Sequence, residues 1–220
     1  MLALFLWVEH RRGGKAMMPL EMFTGRCFAG LNLLTFLLYG AFGASMLLIP
    51  YVLIEAAGYS PVQAGMAMLP LPIILAVASP TMGGLAARLG PRLPLSIGPL
   101  VVGAGMLLAT RVGSDTTYWA GTFPAIAVMA AGMAIAVAPL TSSVLGSVEE
   151  KHVGMASGFN SAVARTGGLI ATALLGAVLG QSGANLFGSF HAAMVASAIV
   201  AAAAAAVALT LLGGVKMKNG

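Results

Sequence analysis

Long apolar runs alternate with short polar connections along almost the whole of this chain. Six runs are long enough to cross a bilayer core, which takes about 20 residues, and they cover residues 27–52, 61–85, 93–110, 118–144, 155–181 and 186–212. A further apolar stretch, residues 1–8, is too short to span, and no small-residue cleavage site follows it. The pattern predicts an all-α membrane protein of six transmembrane helices, preceded by the remnant of an earlier span.

These spans leave no stretch long enough for a separate globular domain. We expect residues 1–26 to contain the remnant and a cytoplasmic connection, residues 27–212 to form a six-helix bundle, and residues 213–220 to form a cytoplasmic tail. With only 8% charged residues against 59% hydrophobic ones, the chain differs from soluble domains, which carry about 25% charged residues.

Local signals mark several helix boundaries. Ser60 followed by Pro61 predicts the start of the second span. Ser147 with Glu150 three residues later predicts a capping box, so that the fifth helix begins before the bilayer. The second span also contains three prolines, which remove backbone donors and predict a bent, packed helix; these are Pro70, Pro72 and Pro80.

Basic residues fall almost entirely on one side of this topology. If residues 9–26 are cytoplasmic, ten Lys and Arg lie inside, including Arg165 near the inner end of the fifth span, and only Arg111 lies outside. Cytoplasmic loops are rich in Lys and Arg, so both the entry segment and the C-terminus are predicted to be cytoplasmic. The net charge of +5 is spread between spans, which does not favour nucleic-acid binding.

The sequence offers no motif of enzyme, metal or cofactor chemistry. It has one cysteine, Cys27, three scattered histidines, and neither a phosphate loop nor a nucleophile elbow. No acidic residue falls in the middle of a predicted span, whereas a proton or sodium relay usually needs one. We therefore expect no enzyme, no metal and no cofactor, and this chain has no candidate for the proton carrier.

Small residues recur every four positions along the fifth span and predict a close helix contact. The row consists of Ala164, Gly168, Thr172, Gly176 and Gly180, preceded by Gly154, Gly158 and Ala162. Static packing is one interpretation, and a seam along which helices slide is the other, so Gly158, Gly168 and Gly176 are packing or gating candidates. The alanine run of the sixth span is expected to face lipid or a loosely packed periphery.

Polar and aromatic residues share a face of the first span. Because asparagine and tyrosine need partners at membrane depth, we interpret Asn32, Phe36 and Tyr39 as candidates for lining a substrate path, with bundle packing as the alternative. Arg165 is the most deeply placed charge. It is interpreted as an anchor that reaches the cytoplasmic surface, with a gate latch as the alternative.

The loop between the second and third spans carries the most specific motif. Its sequence, Gly83-Gly84-Leu85-Ala86-Ala87-Arg88-Leu89-Gly90-Pro91-Arg92, resembles the G-x-L-A-D-R-x-G-R-R signature of the major facilitator superfamily. Three further segments follow a similar order: Gly58-Tyr59-Ser60-Pro61, Ala138-Pro139-Leu140-Thr141, and Gly154-Met155-Ala156-Ser157-Gly158 with Asn160, Arg165 and Gly167-Gly168. From about residue 8 to 180 the chain resembles the C-terminal part of the fourteen-span drug:proton antiporter family.

This resemblance implies the C-terminal half of a bacterial cell-membrane exporter that works by alternating access. It implies export of a small amphipathic or cationic substrate against proton entry, with the missing N-terminal half and membrane lipid as partners. The alternatives are a truncated, transport-incompetent fragment or a membrane scaffold protein.

The resemblance also assigns a role to the motif loop. Gly83, Arg88, Gly90 and Arg92 would form a cytoplasmic clasp between the two halves of the transporter. Ala87 replaces the usual aspartate, so the clasp is expected to be weaker. Independently of the family, the arginines can bind the carbonyl ends of helices or anionic lipid headgroups.

Overall fold

The computed structural model describes residues 26–113, 116–179 and 186–211, and these parts of the chain are helical with short connections and no strand. Seven α-helices follow one another: α1 (Arg26–Glu55), α2 (Pro61–Ala67), α3 (Pro70–Leu89), α4 (Arg92–Ala109), α5 (Thr122–Gly146), α6 (Val153–Leu179) and α7 (Leu186–Leu211). The predicted all-α membrane fold is confirmed. The predicted remnant span and the predicted tail lie outside the described residues.

Within the described residues, five helical segments are long and apolar enough to cross a membrane. They are α1, α2 and α3 taken together, α4, α5 and α7. The fifth predicted span is not in this set, although its helix α6 has 27 residues, which at 1.5 Å per residue is about 40 Å. The fourth span begins at Thr122 rather than at residue 118.

The start of the second span is confirmed. Ser60 is the N-cap of α2, and its side-chain oxygen accepts the backbone N–H of Gln63 at 3.3 Å. In return the Gln63 side-chain oxygen accepts the backbone N–H of Ser60 at 2.8 Å. Pro61 occupies the first turn, where its missing donor costs nothing.

The second span is broken rather than bent. It separates into α2 and α3 at Met68 and Leu69, directly before Pro70. The Tyr118 hydroxyl donates to the Ala67 carbonyl oxygen at 3.0 Å, so a neighbouring segment satisfies a backbone group beside the break. The expectation that this helix is well packed is wrong over most of its length, because only 17% of the span is buried.

The predicted capping box at Ser147 is wrong. Ser147 is instead the C-cap of α5, and its hydroxyl donates to the Val144 carbonyl oxygen at 2.7 Å. A hydroxyl that closes the preceding helix is not available to start the next one. The chain then forms a short 3₁₀ turn, Glu150–His152, and α6 follows directly.

The core lies where α4 packs between α5 and α7, and where α1 packs on α6 and α7. Glycines let α4 and α5 approach closely: a Cβ added to Gly132 would lie 2.5 Å from the Val102 nitrogen, and one added to Gly98 would lie 3.0 Å from the Gly132 carbonyl oxygen. This contact was not predicted from the sequence. The spacing of Gly98, Val102 and Gly105, with Gly132 and Ala136, is the small-residue signal that marks it.

The alanine run of α7 has two faces, so the expectation that it faces lipid is only half right. Ala203 is exposed. The positions Ala201, Ala204, Ala205 and Ala208 are all at most 2% exposed, and their helical spacing places them on one stripe. This stripe faces the bundle interior, since α7 packs on α4 and α1.

Candidate functional site: a polar groove between α1, α5 and α6

A groove of about 450 Å³ opens between three helices. Helix α1 contributes an aromatic pair, α5 a threonine and two aliphatic residues, and α6 most of the polar groups. Its lining consists of Tyr39, Phe42, Gly43, Thr141, Val144, Leu145, Ser157, Asn160, Ser161, Ala164, Arg165 and Gly168. Polar side chains within a membrane bundle typically face its interior or a water-filled cavity, which makes this groove the candidate functional site.

A polar contact ties α1 to α6 beside the groove. The Thr35 hydroxyl oxygen lies 2.8 Å from Asn160 Oδ1 and 2.8 Å from the Leu31 carbonyl oxygen, so its single proton serves one of them at a time. Thr35 is fully buried, whereas Asn160 lies at the groove wall. This pair fixes the position of the Asn160 side chain relative to α1.

Arg165 lies near the middle of α6. It is twelve residues after the first residue of α6 and fourteen before the last, or about 18 Å along the axis from the start of the helix. The side chain is exposed and lines the groove. Arg165 is therefore far from either end of its helix.

Glycines on both helices form the crossing of α1 and α6. A Cβ added to Gly167 would lie 2.5 Å from the Phe36 carbonyl oxygen, and one added to Gly43 would lie 3.0 Å from the Gly168 Cα. Nothing lies within 4 Å of a Cβ added to Gly158 or Gly176. Among the described glycines of α6, the close contact with α1 therefore lies at Gly167 and Gly168.

The structure separates the three residues predicted to line a path. Tyr39 lines the polar groove. Phe36 lines a different, apolar cavity of about 500 Å³ between α1, α6 and α7. Asn32 is buried at 6% exposure; its Nδ2 donates to the Phe28 carbonyl oxygen at 2.8 Å, and its Oδ1 has no partner among the described residues. In this conformation, only Tyr39 of the three faces the groove.

The motif loop joins α3 to α4. Gly90 adopts a φ of 80°, a left-handed conformation that favours glycine, and it ends α3. Gly83 lies against the Ala138 side chain of α5, with 3.5 Å between Ala138 Cβ and an added Cβ. Arg92 donates to the Leu209 carbonyl oxygen near the end of α7 at 3.2 Å, and Arg88 is exposed. The arginine thus binds a helix carbonyl end, as its charge suggests.

Acidic groups of the described residues lie at helix ends and in connections. Glu55 ends α1, and Glu149 and Glu150 precede α6; all three are exposed. The hydrogen bond and positive charge of Lys151, whose Nζ lies 2.6 Å from Glu149 Oε2, lower the pKa of Glu149. No cluster of His, Cys, Asp or Glu among the described residues could hold a metal ion.

The apolar helices define a membrane protein that crosses the bilayer several times. The polar groove between them is a surface that a solute could contact. Comparison with known proteins gives the family. The family model described as Major Facilitator Superfamily matches residues 31–218, and the chain belongs to this superfamily.

Curated relatives include drug-resistance proteins. The chain is 32% identical over 180 residues to multidrug resistance protein Stp of Mycobacterium tuberculosis, covering 80% of this chain and 32% of that protein. It is 28% identical to multidrug transporter protein MdtP of Bacillus subtilis, covering 83% and 33%. It is 24% identical to the tetracenomycin C resistance and export protein of Streptomyces glaucescens, covering 82% and 33%.

These matches confirm the resemblance to the drug-antiporter branch of the superfamily and place the protein in a bacterial cell membrane. The chain spans about a third of the length of the relatives it matches.

Proposed function

We propose that the chain is the C-terminal six-helix half of a proton-coupled exporter of small amphipathic molecules, working by alternating access. The observation that carries this proposal is the polar groove between α1, α5 and α6. In this fold type, substrate sites lie near the bilayer midplane at the interface of two repeats. The groove runs from the last turns of α5, at Thr141 and Leu145, to the middle of α1 and α6, at Gly43 and Gly168, and so supplies one wall of such a site.

The helices are unevenly buried, and this supports the proposal that a second bundle lies beside this one. More than half of the spans in α4 and α5 is buried, against 17% in the α2–α3 span. Helix α6 is also exposed on its groove side, at Ser157, Ser161 and Arg165. Helices with polar, exposed faces are stable in a membrane when another bundle or a water-filled path covers those faces.

Proton coupling is assigned to a part of the transporter outside these helices. The carboxylates of the described residues lie at helix ends and in connections, and a proton carrier usually sits within the membrane. We therefore propose that the second bundle carries the proton-accepting group. We propose that the motif loop meets that bundle on the cytoplasmic side through the exposed Arg88.

Thiol accessibility in proteoliposomes tests the wall assignment. In a Cys27→Ala background, Tyr39→Cys and Ser161→Cys are expected to react with a membrane-impermeant maleimide, because both positions line the groove. Leu33→Cys is the matched control, since Leu33 is 44% exposed on α1 but is not among the groove residues. Equal inertness of all three cysteines would contradict a water-filled path and favour a scaffold protein.

A further inference from the structure

The residues that line the groove favour one class of ligand. The inference below rests on the proposed function, because it treats the groove as part of a substrate path. Arg165 is the only charged side chain in its lining, within the part of the chain that the structure describes. We infer that the groove binds a small amphipathic molecule through a carboxylate, with the Arg165 guanidinium as the counter-charge.

The chain itself offers no acidic partner for Arg165 at this depth. The sequence has no Asp or Glu between Glu21 and Glu55, between Asp115 and Glu149, or after Glu150, so the interiors of α1, α5, α6 and α7 contain none. A cation within a membrane bundle normally pairs with an anion or with carbonyl groups. The helices that line the groove supply no such anion, so we assign it to the ligand.

The remaining polar groups of the groove suit an anion. Ser157, Ser161 and Arg165 follow one another at intervals of four and so share one face of α6. Tyr39 lines the same groove from α1. Hydroxyl groups donate to carboxylate oxygens, and the planar guanidinium can bind both oxygens at once.

The apolar part of the lining defines the rest of the ligand. Phe42, Val144 and Leu145 form an aromatic and aliphatic wall, and about 450 Å³ is within the range of pockets for small organic molecules. An aromatic carboxylate of one or two rings satisfies both walls. A cationic ligand would bring like charge to Arg165, so the inference departs from the cationic substrate that the resemblance implies.

Binding to the 220-residue chain in lipid nanodiscs tests this preference with three probes of one shape. These are 2-naphthoate, its neutral amide 2-naphthamide, and the cation 2-naphthylmethylammonium, each followed by equilibrium dialysis. We expect 2-naphthoate to bind about tenfold or more tightly than the amide, and the cation to bind most weakly. Arg165→Gln should remove the preference, Arg165→Lys should keep most of it, and Arg111→Gln, outside the groove, should keep all of it.

A second measurement tests whether the probe binds in the groove, and it does not require the Arg165→Gln variant to fold. In the Cys27→Ala background, 2-naphthoate should slow maleimide labelling of Ser161→Cys, whereas 2-naphthamide at the same concentration should not. Equal binding of the three probes, a preference that a folded Arg165→Gln retains, or labelling that 2-naphthoate leaves unchanged would overturn the inference. A Ser161→Cys that labels readily without any charge preference overturns this inference alone, whereas one that is inert to the reagent overturns the proposed function.

Discussion

At the scale of single residues, Gly167 determines how closely α1 and α6 can approach. A Cβ there would lie 2.5 Å from the Phe36 carbonyl oxygen, and a backbone group cannot rotate away as a side chain can. We expect Gly167→Leu to destabilise the bundle by about 1–3 kcal/mol, the usual cost of overpacking. Thermal unfolding in detergent, followed by circular dichroism, measures this change.

Gly176→Leu is the matched control, because a Cβ added at this position of the same helix meets no atom of the described neighbouring helices within 4 Å. It should leave the unfolding temperature almost unchanged. If the two variants unfolded at the same temperature, the close crossing of α1 and α6 would be wrong.

Tyr118 stabilises the break between α2 and α3 through one hydrogen bond, from its hydroxyl to the Ala67 carbonyl oxygen at 3.0 Å. Burial, with the nearby Tyr59, raises the pKa of Tyr118, so the phenol stays protonated and can donate at neutral pH. Tyr118→Phe should cost about 1 kcal/mol of stability, the typical net value of a hydrogen bond.

The same thermal unfolding assay measures Tyr118→Phe. Tyr51→Phe, at a tyrosine that is 41% exposed, is the control and should change little. Equal effects of the two substitutions would mean that the Ala67 carbonyl group does not depend on Tyr118.

At the scale of elements, the orientation of the helices follows from charge alone. Nine basic residues on one side, leaving out Arg165 within α6, against Arg111 on the other predict that both ends of the helical chain are cytoplasmic. Reporter fusions after Lys218 and within residues 57–60 should therefore report opposite compartments. A common compartment for both fusions would contradict either the number of spans or their orientation.

The order and type of the helices could be predicted from the sequence, because each apolar run is long and ends at clear polar or proline signals. Ser60 shows this well, since its cap depends only on residues up to Gln63. Ser147 shows the limit: the same local pattern fits either the end of one helix or the start of the next. The choice depends on where α5 stops, which is determined by packing.

Site geometry could be predicted only in part, because helix rotation decides which residues face each other. The glycine row of α6 was visible in the sequence, but the contact with α1 is centred on Gly167, which lies one position away from the predicted row. Similarly, Asn32 and Tyr39 lie seven residues apart on α1, yet Asn32 is buried while Tyr39 reaches the groove. Single-sequence periodicity cannot resolve such small rotations between packed helices.

At the scale of the whole molecule, one bundle with one wall of a cavity should not export a substrate by itself. The isolated chain reconstituted in liposomes with an imposed pH gradient is expected to move a fluorescent dye no faster than empty liposomes. The physical reasons are the lack of a carboxylate at mid-membrane depth and the single bundle. A naphthoate-shaped dye and a cationic dye should both fail.

Dye movement that depends on the pH gradient and stops with an uncoupler would contradict this prediction. It would show that a homodimer or a single bundle is sufficient, and that Glu55, Asp115 or a histidine carries the proton. The same liposomes with Glu55→Gln and Asp115→Asn chains would then show whether one of these two carboxylates is the carrier.

The hydrogen bond between Arg92 and the Leu209 carbonyl group gives the two arginines of the motif loop different roles. Arg92 donates a hydrogen bond to a carbonyl group of its own chain at 3.2 Å. This bond joins the beginning of α4 to the end of α7. We expect these two helix ends to move together when the bundle tilts. Arg88 is exposed and free to meet a neighbouring body. A contact that forms and breaks between two bundles would therefore depend on Arg88. Arg92 instead links two helices within one bundle.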